Sequence, residues 1–202
     1  RRQELAVKSS DAIVTNSQEM LNLHSRVPTK STYLQPLPVH PLWESKTKKA
    51  VPTSEINAIF VGAFNETKGW SEIKALILAN PTIPFICVSK YKDDDPCFQN
   101  GEIPANVKIL RCLSTAELIS AVDCAKIFIV GSPFETQCLA AIEAASRNVA
   151  ICMKETGLLS QLPIRLRENI GEFNQDLKTG FSVLVNRIQN YPSTVNPQEA
   201  IK

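Results

Sequence analysis

An uninterrupted apolar run near the middle of the chain constrains the fold more than any other feature. Residues 127–130 read Ile-Phe-Ile-Val, with no polar residue between them. A strand with one solvated face alternates apolar and polar residues, whereas a parallel strand covered on both faces does not. The run therefore predicts a central strand of a parallel sheet with a layer of helices on each side.

The same order of strand and then helix repeats along most of the chain. Short loops join the elements, which favours right-handed crossovers, a parallel sheet and the α/β class. The predicted strands are 57–61, 84–89, 107–111, 126–130 and 149–153, and the predicted helices are 70–79, 115–122 and 135–147. Less regular patterns predict strands at 12–15 and 32–35 and helices at 18–24, 172–189 and 197–202.

A change of composition marks the expected domain boundary. Residues 36–55 are rich in Pro, Lys and Ser, which is typical of a linker. A length of 202 residues allows one large domain or one domain with a piece of another. We expect residues 1–44 to be the end of a preceding domain and its linker, and 45–202 to be the main domain. The chain starts with Arg-Arg, so we expect a fragment or a processed product.

Composition excludes several classes of protein. The chain is 44% apolar and 21% charged, as in ordinary globular domains, and its net charge of +2 gives no reason to expect nucleic acid. No apolar run reaches the length that spans a bilayer. The six cysteines contain no Cys-x-x-Cys pair, which favours reduced thiols in the cytoplasm over disulfides or zinc. Both histidines, His24 and His40, are interpreted as structural or solvated.

Two glutamates follow the central strand. Glu135 and Glu143 lie eight residues apart in the predicted helix 135–147, a little over two turns along a broadly shared face. Ligands of parallel sheets bind at the carboxyl ends of strands, so the two acids could contact separate parts of an extended polar ligand. On spacing alone a plainer interpretation is favoured, in which Glu135 faces the helix dipole and Glu143 is solvated.

A second candidate site lies after the first strand of the main domain. The segment from Gly62 to Gly69 combines a strand end, a glycine at a helix entry and Lys68, which are the parts of a phosphate site. Alone, it is better interpreted as a plain turn with a solvated lysine. The acidic run 93–95 is interpreted as a solvated loop rather than a metal site.

Several motifs together resemble glycosyltransferase family 4, a family of retaining enzymes with the GT-B fold. The central segment has Glu, seven residues and Glu, with Ser-Pro before it and Leu-Ala-Ala-Ile between. The segments AIFVGAFNETKGW at 58–70, NVKILRCLSTAEL at 106–118 and SDAIVTNSQEML at 10–21 fall in the matching order. The resemblance covers most of residues 10–160 and weakens beyond them.

The resemblance implies a Rossmann-like donor-binding domain of GT-B type, with a remnant of the preceding domain before it. The function it implies is transfer of a sugar from a nucleotide-diphosphate sugar to an acceptor, which is a glycan, a lipid or a small molecule. No metal or cofactor is implied. An enzyme of this kind works in the cleft between two domains, so the isolated chain is expected to be inactive. The implied location is cytoplasmic, with peripheral association with a membrane left open.

The resemblance also implies a role for individual residues. Lys68 would neutralise the donor diphosphate and Glu135 would contact the transferred sugar, and both count as catalytic. Glu143 would accept hydrogen bonds from the ribose hydroxyls. The implied donor-binding residues are Gly62, Lys68, Thr136, Gln137, Cys138, Leu139 and Glu143, of which residues 136–139 would face a phosphate with their backbone amides.

The chain departs from the family pattern at a few positions. Ala63 replaces the arginine that usually accompanies the lysine, and Thr136 and Cys138 replace glycines. Asn148 replaces another glycine, a mild change because asparagine tolerates the left-handed conformation. Two alternatives therefore stay open: a catalytically degenerate GT-B-like module for binding or scaffolding, and another parallel α/β enzyme such as a nucleotide-sugar epimerase.

Overall fold

The computed structural model describes residues 12–16, 21–22, 31–35, 37–44, 55–98, 101–191 and 195–197. Eight strands occur in these ranges: β1 Ala12–Thr15, β2 Ser31–Leu34, β3 Ala58–Val61, β4 Phe85–Ser89, β5 Val107–Arg111, β6 Ile127–Val130, β7 Ala150–Met153 and β8 Gly171–Phe173. The helices are α1 Trp70–Ala79, α2 Thr115–Asp123, α3 Leu139–Ser146, α4 Gly157–Ser160, α5 Ile164–Ile170 and α6 Leu177–Asn190. Short 3₁₀ turns lie at Pro41–Glu44 and Glu66–Lys68.

Six parallel strands form one sheet in the order β5-β4-β3-β6-β7-β8. β3 and β6 are neighbours although a strand pair separates them in sequence, so the chain order reverses between them. All four residues of β6 are buried, as its apolar run predicts. The five predicted strands of the main domain and the parallel α/β architecture are confirmed.

Helices cover both faces of this sheet and explain the absence of alternation in its strands. On one face, Trp70 and Ile73 of α1 and Phe181 of α6 pack against β3 and β4. On the other face, α2 and α3 pack against the opposite side of β3 and β6, with Ala141 and Ala144 fully buried. Small residues on α3 let this helix lie close to the sheet. The helix follows the loop that carries Glu135.

The helix predicted over 172–189 begins later than expected, and a strand precedes it. Gly171 pairs with Ile151, and a Cβ at Gly171 would lie 1.9 Å from the Ile151 carbonyl oxygen, so β8 depends on this glycine. The Asp176 carboxylate accepts hydrogen bonds from the N–H groups of Lys178 and Thr179 and starts α6 at Leu177.

The strands near the amino end form a separate pair. β1 and β2 are parallel, with Ala12 opposite Ser31, close to the predicted ranges 12–15 and 32–35. The predicted helices 18–24 and 197–202 fall largely outside the described residues. In the part of the chain that the structure describes, no helix is long and apolar enough to cross a membrane.

The proline-rich segment between these sheets contains a packed part. Residues 37–44, here called the strap, lie against α3, and the Trp43 side chain is only 5% exposed. The Ser146 hydroxyl donates to the Trp43 carbonyl over 3.4 Å. Residues 45–54 lie outside the described residues, so the boundary near residue 45 stays a prediction.

Candidate functional site

The carboxyl edge of the six-stranded sheet brings together two charged side chains that are 67 residues apart in sequence. Lys68 follows β3 and Glu135 follows β6, and these strands are neighbours in the sheet. The Lys68 Nζ lies 2.9 Å from Glu135 Oε1. Both side chains line a cavity of about 120 Å³ at this edge. The sheet topology therefore places both predicted catalytic residues in one site.

A close backbone contact positions Lys68. Its 3₁₀ turn is capped by Asn65, whose side chain accepts a hydrogen bond from the Lys68 N–H over 3.3 Å. The next residue, Gly69, has a φ of +69°, and a Cβ there would lie 1.9 Å from the Gly131 carbonyl oxygen. Only glycine permits both the left-handed conformation and this approach. The turn that carries Lys68 thus rests directly on the loop that leaves β6.

Glu135 lies in an irregular loop and not in a helix, which corrects the prediction of a helix over 135–147. The helix begins at Leu139, after Cys138 adopts a left-handed conformation with a φ of +54°. The Glu135 N–H donates to the Thr156 hydroxyl over 3.0 Å instead of to a helical carbonyl. Glu135 and Glu143 therefore do not share one helix face.

The loop and the start of α3 present backbone donors. The N–H groups of residues 136–140 form no hydrogen bond with any other described residue. Cys138, Leu139 and Ala140 line the cavity beside Lys68 and Glu135. Free N–H groups at a helix N-terminus carry partial positive charge, which favours an anion.

Two side chains of this loop make contacts that are separate from the predicted role of its backbone amides. Gln137 is 3% exposed and hydrogen bonds the backbone of Leu37 twice, each time over 2.7 Å, so its side chain holds the strap. The Cys138 side chain lines the cavity, and burial raises the pKa of its thiol to about 12. Cys138 takes a left-handed conformation that glycine would adopt with less strain, and it adds a side chain to the cavity.

Glu143 lies one turn into α3 and is half-buried. Burial raises the pKa of its carboxyl above the ordinary value. Its carboxylate forms no hydrogen bond or ion pair with the described residues. It does not line the small cavity that Lys68 and Glu135 share, although its charge acts on the Cys138 thiol. The structure therefore leaves this carboxylate available beside the cavity.

The segment around Gly62 places the Lys68 side chain at the cavity, and its role as a phosphate site stays a prediction. A Cβ at Gly62 would lie 2.9 Å from the Phe60 ring and 3.4 Å from Lys68 Cγ, so this glycine makes room for the lysine stem. The N–H groups of Lys68, Gly69 and Trp70 already donate to Asn65 and Glu66. Among residues 62–69, Lys68 lines the cavity.

Sequence reasoning missed two polar groups near this edge. Asp94, predicted to be solvated, accepts from the Phe64 N–H over 2.9 Å and from the Ser89 hydroxyl over 2.5 Å, so it fixes the loop after β3. Thr156, after β7, accepts from the Glu135 N–H. The Phe64–Asp94 and Glu135–Thr156 contacts join residues 30 and 21 positions apart, so no local pattern marks them. Within the described ranges, no group of three His, Cys, Asp or Glu side chains is placed to hold a metal.

The architecture matches solved structures of glycosyltransferases. The sucrose-phosphate synthase of Thermosynechococcus elongatus matches with a TM-score of 0.78 and 18% identity, over 98% of this chain and 55% of that chain. The α,α-trehalose-phosphate synthase (UDP-forming) of Burkholderia vietnamiensis matches with a TM-score of 0.69 and 11% identity, over 99% and 57%. The fold is of the GT-B type.

A third GT-B structure, the catalytic domain of starch synthase IV from Arabidopsis thaliana bound to ADP and acarbose, gives a TM-score of 0.64 and 15% identity, over 98% and 53%. The chain thus spans about half the length of the structures it matches. No family model matches the sequence, and a search of curated proteins found no relative. Membership of glycosyltransferase family 4 therefore stays a prediction.

Proposed function

We propose that residues 45–202 are the donor-binding domain of a retaining glycosyltransferase and that residues 1–44 close the preceding domain. The observation that carries this proposal is the meeting of Lys68 and Glu135 at the carboxyl edge of β3 and β6, next to unbonded N–H groups. In a doubly wound sheet this edge is where ligands bind, at the point where the strand order reverses. The donor is a nucleotide-diphosphate sugar.

The diphosphate would lie against the N-terminus of α3. The N–H groups of residues 136–140 donate to its oxygens, and Lys68 supplies a positive charge. The Lys68–Glu135 pair is partly exposed, with 42% of the lysine side chain and 15% of the glutamate side chain accessible. A pair of this exposure contributes little to stability, so the lysine can exchange its partner for a phosphate at low cost. No metal is part of this binding scheme.

The remaining parts of the donor would contact the two glutamates. By the family resemblance, Glu143 accepts hydrogen bonds from the ribose hydroxyls, which suits a half-buried carboxylate with a raised pKa. Glu135 contacts the transferred sugar. The cavity of about 120 Å³ is smaller than the roughly 300 Å³ or more of typical ligand sites. We infer that a further domain supplies the rest of the cleft and binds the acceptor.

A second candidate function is a degenerate module that has the GT-B fold without catalysis. Two observations favour it. Ala63 provides no guanidinium beside Lys68, and an arginine fork contributes both charge and two hydrogen bonds to a phosphate. The Cys138 side chain occupies part of the cavity. In this alternative the edge binds weakly or not at all, and the strap and outer surfaces carry the function.

Calorimetric titration separates the two candidates. UDP, GDP and ADP, and then UDP-glucose and GDP-mannose, are titrated into the folded chain with and without a chelator. Glu143→Ala removes the proposed ribose contact. Glu55→Ala is the matched control, because Glu55 is an exposed glutamate just before β3, at the opposite edge of the sheet.

If the chain binds a donor, one nucleotide should bind with micromolar affinity, and the chelator should not change that affinity. The affinity should fall at least tenfold in Glu143→Ala and stay unchanged in Glu55→Ala. The degenerate alternative predicts no saturable heat from any of the five compounds. The same series with the complete protein then tests whether a further domain increases the affinity, as the small cavity of this chain leads us to expect.

A further inference from the structure

The loop that carries Glu135 is hydrogen bonded to the turn after β7. The Glu135 N–H donates to the Thr156 hydroxyl over 3.0 Å, and Thr156 is only 7% exposed. The two residues are 21 positions apart, so this contact joins the ends of adjacent strands rather than neighbours in one loop. A hydroxyl with so little exposure has few alternatives to this bond, because water reaches it poorly.

The backbone next to Thr156 is also fitted to Glu135. Gly157 has a φ of +72°, and a Cβ there would lie 3.2 Å from both the Cβ and the carbonyl oxygen of Glu135. The Thr156 N–H donates to the Lys154 carbonyl over 2.8 Å and closes the turn. The Thr156 hydroxyl therefore belongs to a short, hydrogen-bonded turn, and the backbone of this turn packs against Glu135.

The other end of the same loop is held independently. Gly131 contacts Gly69 through backbone atoms, and Gln137 is bonded to Leu37 in the strap. These contacts keep residues 131 and 137 in place when the Thr156 bond is absent. Loss of that one bond would then free the backbone of Glu135 to rotate within a loop that is otherwise anchored.

We propose that Thr156 is a positioning residue: its hydroxyl fixes the Glu135 backbone so that the carboxylate reaches Lys68 and the sugar part of a bound donor. Only the contact with the donor sugar rests on the proposed function. The Lys68–Glu135 contact is a property of the free protein, whereas the sugar contact requires a donor. Thr156 thereby affects how the site treats the sugar and leaves the nucleotide contacts at Glu143 and α3 unchanged.

The test uses Thr156→Val, which keeps the shape of the side chain but removes the acceptor, and Thr156→Ser, which restores a hydroxyl. Thr115→Val is the matched control, because Thr115 is exposed at the start of α2. The first readout is the rate at which Lys68 is acetylated, followed by mass spectrometry. The second is the ratio of the dissociation constants for a nucleoside diphosphate and its sugar conjugate, with UDP and UDP-glucose or GDP and GDP-mannose as probes.

We expect Lys68 to react at least threefold faster in Thr156→Val, as in a Glu135→Gln reference, because the lysine loses its partner. We also expect Thr156→Val to bind the nucleoside diphosphate within twofold of the unmodified chain. Its sugar conjugate should then bind no more tightly than the nucleoside diphosphate itself. Thr156→Ser should restore both properties. A merely structural role would weaken the binding of both ligands equally, and that result would overturn the proposal.

Failure of this inference differs from failure of the proposed function. If the unmodified chain binds no nucleotide, the proposed function fails, and the acetylation rate alone decides whether Thr156 positions Glu135. Equal rates in Thr156→Val, Thr115→Val and the unmodified chain would overturn the positioning role. A binding chain whose sugar preference is unaffected by Thr156→Val would overturn it as well.

Discussion

Individual glycines set how closely the parts of the site approach one another. Gly69 and Gly131 touch through their backbones, so the turn with Lys68 and the loop with Glu135 lie against each other without an intervening side chain. Gly157 lies less close to Glu135, because a Cβ there would be 3.2 Å from the Glu135 Cβ and carbonyl oxygen. The 2.9 Å contact between the two charged side chains follows from these backbone contacts.

Gly69→Ala is expected to destabilise the protein by more than about 3 kcal/mol, because left-handed strain and a backbone clash act together. Gly101→Ala is the matched control: its φ of +72° is nearly the same, but no described atom lies within 4 Å of the added Cβ. That variant should lose only about 1 kcal/mol, from backbone strain. Urea unfolding measures both, and equal losses would show that the Gly69–Gly131 approach is absent.

The raised pKa of the Glu143 carboxyl predicts that the stability of the protein depends on pH. Burial raises its pKa above the ordinary value of 4.5, so the folded state holds this proton more tightly than the unfolded state. The stability that Glu143 contributes is present below its unfolded pKa and is lost as the pH rises through the higher folded value. Glu143→Gln has no such loss. The free energy of unfolding of Glu143→Gln, relative to that of the unmodified protein, should therefore increase as the pH rises above 4.5.

Urea unfolding at several pH values checks this expectation. Glu102→Gln is the control, because Glu102 is exposed and a surface change should stay within about 0.5 kcal/mol at every pH. A Glu143→Gln difference that is constant across the pH range would mean that the carboxylate is solvated in the folded protein.

Among the strands and helices, the strap and α3 form one unit around the loop with Glu135. Trp43 is buried against α3, and Gln137 at the end of the loop bonds the Leu37 backbone at both its N–H and its carbonyl. The strap thus stabilises the helix whose N-terminus faces the cavity. Residues 37–44, which precede the predicted domain boundary, thus support the proposed donor site.

Trp43→Ala is expected to destabilise the protein by about 3 kcal/mol, because it removes a large buried side chain. The neighbouring Leu42 is 52% exposed, so Leu42→Ala should change stability by less than about 0.5 kcal/mol. Hydrogen exchange of the α3 amides provides a second measurement and should accelerate only in Trp43→Ala. Similar behaviour of the two variants would show that the strap does not stabilise α3.

The main elements were predictable from sequence because their signals are local. The apolar run of β6 and the repeated order of strand and helix give the sheet, its parallel sense and five of its strands. The late start of α3 was not predictable, because it depends on a left-handed Cys138 and on a bond from Glu135 to the distant Thr156. The same holds for β8, whose pairing requires the Gly171 backbone to touch β7.

The roles assigned to the site residues stay predictions, but their geometry can be compared with the sequence. Lys68 and Glu135 follow neighbouring strands, and their side chains are in contact. The side chain of Gln137 does not face the cavity but bonds the strap, and this contact spans 100 residues. Interactions between such distant positions leave no periodic or spacing signal in a single sequence, so only the folded chain reveals them.

As a whole, the chain has a GT-B-type fold and spans about half the length of the solved glycosyltransferases that it matches. Its small cavity lies at the carboxyl edge of the sheet, beside Lys68 and Glu135. Under the proposed function, we therefore expect the chain to bind a nucleotide through the N-terminus of α3 and to need a further domain to transfer a sugar.

Nuclear magnetic resonance mapping of a nucleoside diphosphate on the isotopically labelled chain tests the proposed donor site. Saturable shifts should appear at the amides of residues 136–140, at Glu143 and at Lys68, and the corresponding nucleoside without phosphates should leave residues 136–140 unshifted. The opposite edge of the sheet, where Glu55 and Gln189 line a separate pocket, should stay unchanged. Shifts confined to that edge, or none at residues 136–140 in the folded protein, would contradict the proposed donor site.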